Sequence, residues 1–86
     1  MDLHIPLSGS LKSKRSVLKS LKDRVRSRFN VSVAEVGEQD KWQRCLVAVS
    51  MICHDKAVIS RGFEGIVRLV EESGDIQLLR HRTEFV

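Results

Sequence analysis

Apolar positions first alternate along the chain. Leu3, Ile5 and Leu7 share one face of MDLHIPL, with Asp2, His4 and Pro6 on the other, which predicts a strand over 1–7. Pro6 has no backbone donor and belongs at that strand's end. Ser8-Gly9-Ser10 reads as a turn whose last hydroxyl caps a helix. The spacing then widens: Leu11, Val17, Leu18, Leu21, Val25 and Phe29 follow a helical stripe of about five turns, interrupted by Lys14. The β-branched alternation of Val31–Val36 predicts a helix end near Asn30 and a second strand. Gly37–Arg44, GEQDKWQR, is polar and reads as a hairpin connection, with Trp42 near the start of the next strand. Cys45–Cys53 is apolar on both parities, as central strands are. Asp55 then caps a second helix with its main stripe at Ile59, Phe63, Ile66 and Val70, widened by Val58, Val67 and Leu69. Gly62 and Gly65 weaken that helix by about 1 kcal/mol each unless close packing needs their missing side chains. Gly74 suits a left-handed stop. Ile76–Val86 completes the pattern as a strand in which Arg80, His81 and Arg82 discourage edge pairing.

The order β-α-β-β-α-β, joined by right-handed crossovers, predicts an α+β ferredoxin-like sandwich. It is a four-stranded antiparallel sheet with two helices on one face, forming a single domain over 1–86. The first and third strands are central. His4, Ser32, Ala34, Leu46, Ala48, Ser50 and Ile52 then line the uncovered face, open to water or to a second copy in a homodimer. At 86 residues, one core is what the chain can build. With 42% hydrophobic and 30% charged residues, it falls among globular domains. The longest apolar run is the five residues Cys45–Val49, four of them Leu46–Val49 after the cysteine, and no charged-then-apolar leader opens the chain, so the expected location is cytoplasmic, without a membrane.

Charge changes the picture most. Ser10–Asn30 holds eight basic residues against Asp23 alone, whereas Val31–Val86 is net −2, so the +4 excess belongs to the first helix. At 100° per residue, Lys12, Arg15, Lys19, Lys22 and Arg26 fall on one stripe. A solvated face is the bland reading of such a run. Against it stand four successive like-charge pairs, each opposing the helix by about 0.2–0.5 kcal/mol, and cations placed at the positive end of the helix dipole. A face built for solubility mixes Glu with Lys, so the stripe points to an anionic partner: a phosphate backbone first, an acidic protein or anionic lipid second. The two central strands carry no aromatic residue, so RNA would be held by charge and shape with little base readout.

Other chemistry is sparse. Trp42 reads first as a packing residue and second as a contact, together with Gln39 and Asp40 of the same connection. Glu35, Glu38 and Asp40 beside Lys41 and Arg44 read as a solvated, self-paired loop. His4 and His81 meet on the open face if the first and last strands pair in register, which would make a pH-sensitive or metal-binding pair. Cys45 and Cys53, roughly 26 Å apart along one strand, read as reduced, small buried apolar residues rather than a disulfide. No metal cluster, cofactor motif, small-molecule site or catalytic constellation stands out; Ser8-Gly9-Ser10 at a helix start is a weak anion signal.

Ser10-Leu11-Lys12, Lys14-Arg15, the run from Arg28 to Glu35 and Gln39-Asp40-x-Trp42-Gln43 stand in the order of the YlxP-like family, a bacterial family of unknown function. The resemblance covers nearly the whole chain. It implies a ferredoxin-like fold, a cytoplasmic location, no established enzymatic activity, and genes neighbouring those for translation initiation and ribosome-binding factor A. Family members begin several residues earlier, so the expectation is either a shortened first strand or a trimmed start. The expectation is a non-catalytic, translation-associated module. It would bind ribosomal RNA or a ribonucleoprotein through Lys12, Arg15, Lys19, Lys22 and Arg26, or else be a dimeric regulatory module that binds an acidic protein.

Overall fold

The computed structural model describes residues 1–86. Its elements run β1 (Asp2–His4), α1 (Leu11–Arg28), β2 (Ser32–Gly37), β3 (Arg44–Ser50), α2 (Lys56–Glu71) and β4 (Gln77–Arg80). All strand pairs are antiparallel, in the order β2-β3-β1-β4, so β1 and β3 are central as the pattern predicts. The helices cover one face. Leu3, Cys45 and Val47 from the sheet meet Leu21, Val25 and Val70 from the helices there, all fully buried. No helix is long and apolar enough to cross a membrane.

Both helices begin where a side-chain oxygen satisfies an otherwise unpaired amide. Ser10 Oγ accepts from the Ser13 amide at 3.0 Å and Asp55 Oδ1 from the Ala57 amide at 2.9 Å. Gly62 and Gly65 do serve close packing. A Cβ on Gly65 would lie 2.9 Å from the Phe29 ring, and one on Gly62 would lie 2.5 Å from the terminal methyl of Met51. Gly74 is not the left-handed stop. No glycine has positive φ, and α2 ends instead with the Ser73 hydroxyl donating back to the Leu69 carbonyl at 2.9 Å. The one left-handed residue is Glu38, at φ 62°, beside the bulge at Gly37 where Leu46 occupies the space of a Cβ.

Three strands are shorter than their alternation. β1 ends at His4 because the chain turns at Pro6; Leu7 is thrown into solvent and Ser8 is buried in its place. β3 stops at Ser50, leaving Cys53 partly exposed, so only Cys45 is the buried cysteine that the pattern predicts. β4 covers Gln77–Arg80 rather than 76–86. The register pairs His4 with Gln77 and Asp2 with Arg80, which leaves His81 beyond β1, and the predicted His4–His81 pair does not form. His4 Nδ1 instead shares a 2.8 Å hydrogen bond with Gln77 Oε1. On the uncovered face Ser32, Ala34, Ala48, Ser50 and Ile52 are exposed, while His4 and Leu46 are half-buried.

Candidate nucleic-acid interface

The flank of α1 that carries Lys12, Arg15, Lys19, Lys22 and Arg26 spans an arc of about 80° and, from the first to the last, about 21 Å along the helix axis. All are exposed except Lys22, which is half-buried. They are not equivalent. Lys19 Nζ lies 2.8 Å from Asp23 Oδ2, an exposed pair in which the lysine's hydrogen bond holds the Asp23 carboxyl below its ordinary pKa. Arg26 Nη2 donates to the Val33 carbonyl at 2.9 Å. That carbonyl lies on the outer edge of β2, so one arm of Arg26 caps a sheet edge. Gln39 does the same at the next outward position, its Nε2 donating to the Glu35 carbonyl at 3.4 Å. Lys12, Arg15 and Lys22 have no ion pair and no hydrogen bond within the chain; Lys12 and Arg15 face solvent, while half-buried Lys22 lies near enough to Asp23 to help lower that carboxyl's pKa.

Lys14 has a different fate. It occupies an apolar position of the α1 stripe, is 1% exposed, and directs Nζ to Glu35 Oε2 at 2.8 Å and to the Glu38 carbonyl at 2.6 Å. The approach to Glu35 is close but poorly aligned for a hydrogen bond, so the carboxylate supplies charge and the Glu38 carbonyl supplies the directed bond. This corrects the reading of Glu35, Glu38 and Asp40 as one solvated cluster. Glu35 is taken by Lys14, Glu38 pairs with Lys41 at 2.7 Å, and Arg44 leaves the loop to grip buried Asp2 with three hydrogen bonds of 2.9, 3.0 and 3.3 Å. The Glu38 partner also raises the Lys41 pKa.

These bonds fasten the β2–β3 connection against the start of α1. Gln43 Nε2 adds two more, each 3.2 Å, to the Pro6 and Ser8 carbonyls. Trp42 projects from this connection and is 55% exposed, so it is a surface residue and the packing reading does not hold. Gln39 and Asp40 are exposed beside it. The structure thus brings Trp42, Gln39 and Asp40 to the end of the molecule where Lys12 and Arg15 begin the row of cations. Elsewhere, burial pushes the Cys45 thiol up to about 11, with Glu35 adding to the effect, so at neutral pH it is a protonated apolar group rather than a nucleophile.

The pairing of Lys14 with Glu35 escaped the sequence reading although both residues left a signal. Each is the one charged residue in an otherwise apolar pattern, Lys14 in the helical stripe and Glu35 in the Val31-Val33 alternation, and their charges are opposite.

Fold and surface together define a small ferredoxin-like α+β domain with a basic helix flank. The family described as "Protein of unknown function (DUF503)" matches residues 1–83, and the chain belongs to it. It is similar to "Uncharacterized protein YlxP" of Bacillus subtilis (strain 168), 33% identical over 78 residues, which make up 91% of this chain and 85% of the relative.

Proposed function

We propose that this protein is a non-catalytic, cytoplasmic, translation-associated module that docks on ribosomal RNA or a ribonucleoprotein through the α1 flank. The observation that carries this reading is the row of Lys12, Arg15 and Lys22, exposed or half-exposed and without an ion pair or hydrogen bond in the chain. Lys19 extends it through a pair worth little in water. Like charges in a row oppose the helix that bears them, and a bound polyanion reverses that cost by releasing its counterions. The gene neighbourhood implied by the family resemblance supplies the choice of a ribosomal polyanion.

With one arm of Arg26 held by Val33, contacts by Lys12, Arg15, Lys19 and Lys22 alone, Lys19 exchanging its exposed Asp23 partner for phosphate, would give a log–log slope of binding against salt of about −3 to −3.5. All five contacts would give about −3.5 to −4.5. Sedimentation with small ribosomal subunits at several salt concentrations, comparing the native chain with Lys19→Glu and Lys22→Glu, tests the idea. Association that ignores salt, or that survives both reversals, rejects it. The second reading is a homodimer that binds an acidic protein. It is favoured by the exposed Val36 and Leu79 at 62% and 48% together with exposed Ala34 and Ala48. A light-scattering mass of two chains and a nuclease-resistant pull-down would select it.

A further inference from the structure

We infer that Trp42 is a stacking platform for an unpaired RNA base: a strand whose phosphates lie on the α1 row places a base from a loop, bulge or end on the indole. This rests on the reading of the α1 flank as an RNA interface and names the form of RNA that the flank selects. Trp42 is 55% exposed, and an indole left this far outside the core contributes little to folding. The other exposed aromatic residue, Phe85, has the Lys56 ammonium over its ring at 5.7 Å; no cation covers the ring of Trp42.

The connection that carries the indole is fixed on both sides of it. Glu38 sits at φ 62°, a left-handed backbone that a residue other than glycine keeps only where its surroundings determine it. Its carbonyl accepts from Lys14 Nζ and, at 3.1 Å, from the Lys41 amide, while its carboxylate pairs with Lys41. On the other side of Trp42, the Gln43 carbonyl accepts from the Ile5 amide at 2.9 Å, and the Gln43 side chain reaches the Pro6 and Ser8 carbonyls. Little ordering of this backbone remains for a base to impose, which is what a preformed platform requires.

The cations lie where the phosphates of such a strand would run. α1 lies antiparallel along β2: Arg26 near the helix end meets Val33 near the start of β2, and Lys14 near the helix start meets Glu35 and Glu38 at the far end. The row therefore leads toward the connection that holds Trp42, and its members there, Lys12 and Arg15, are exposed and unpaired. Asp40, also exposed, is the connection's one carboxylate without an ion pair, so it repels phosphate from the loop and leaves the indole to a base. Within a duplex each base is already stacked on its neighbours, whereas an unpaired base of any identity offers a free π face. Trp42 thus selects unpaired RNA without reading its sequence.

The probes are an end-labelled oligouridylate of about twelve nucleotides and an RNA duplex of the same length, each titrated onto the full chain and followed by anisotropy. Trp42→Ala should weaken binding of the single strand roughly tenfold and leave the duplex affinity unchanged. Trp42→Phe should recover most of that loss and Trp42→Leu should not, with the salt slope the same in every chain, because stacking releases no counterions. Unlabelled single strand should also quench native Trp42 emission well beyond the change that inorganic polyphosphate produces. Undiminished binding of the single strand by Trp42→Ala overturns the platform and leaves the α1 reading in place. So does an equal loss for the duplex, or recovery by Trp42→Leu, which marks the indole as an apolar contact for a protein. If the native chain does not bind the single strand at all, the platform is overturned, and sedimentation with ribosomal subunits decides separately whether the α1 reading stands.

Discussion

Lys12 and Lys14 stand two residues apart on one helix and lead opposite lives. Lys14 is sealed against Glu35 and the Glu38 carbonyl, with its stem in the core; Lys12 ends in water with no partner. The buried cation is held because the surrounding groups were placed for it, and losing one member leaves an uncompensated charge in a poor dielectric. The exposed row gains nothing from the fold and slightly opposes it. Charge that a domain carries at a cost to its own stability is the charge to test for function.

The largest expected effect comes from breaking the buried side of that contrast. Lys14→Ala should lower stability by about 3 kcal/mol in urea unfolding, since it strands Glu35 as well as opening a cavity. Combining it with Glu35→Ala should cost clearly less than the two single changes together; simple additivity would mean that the pair is not coupled. On the exposed side, Lys19→Glu with Lys22→Glu should cut affinity for ribosomal subunits by about 100-fold at low salt and flatten the salt slope by about 1.5, while stability stays within about 0.5 kcal/mol. A comparable loss of stability would show that the row is structural after all.

The two cysteines give a smaller version of the same contrast. In the fold the Cys45 thiol stays neutral to about 11, whereas in the unfolded chain it ionises near its ordinary value of 9.0. Its raised pKa therefore leaves stability intact below pH 9 and removes it as pH climbs from 9 toward 11, by about 1–2 kcal/mol at pH 10.5. Unfolding curves at pH 8 and 10.5 should show this fall, and Cys45→Ala should remove it. A thiol reagent at pH 8 should modify Cys53 first. The smallest effects belong to the α2 glycines. Gly65→Ala drives a methyl against the Phe29 ring and should cost about 1 kcal/mol. Gly62→Ala meets only the flexible tip of Met51 and should be neutral or stabilising by about 0.5 kcal/mol, read as a small rise in Tm.

The fold was legible wherever periodicity controls it. The two helices, their Ser10 and Asp55 caps and the central place of β1 and β3 follow from local pattern, because a stripe or an alternation is useful only against a core. What was lost depends on neighbours in space. His81 does not meet His4 because the antiparallel register sets Gln77, four residues before it, opposite His4. Gly74 does not stop α2 because a serine hydroxyl already satisfies the carbonyl that a left-handed turn would have served. The row of cations was visible as spacing, but only the folded chain separates Arg26, which caps an edge, from Lys12, Arg15 and Lys22, which make no ion pair or hydrogen bond.

The bonds that tie the β2–β3 connection to α1 also make an optical instrument. Trp42 is the one tryptophan and there is no tyrosine, so the emission of the whole chain comes from a single exposed indole. Lys14 ties that indole's connection to the first turns of the basic helix, and Gln43 ties it to the turn that leads into that helix. A polyanion seated on Lys12 and Arg15 should therefore shift or quench the native fluorescence without any label.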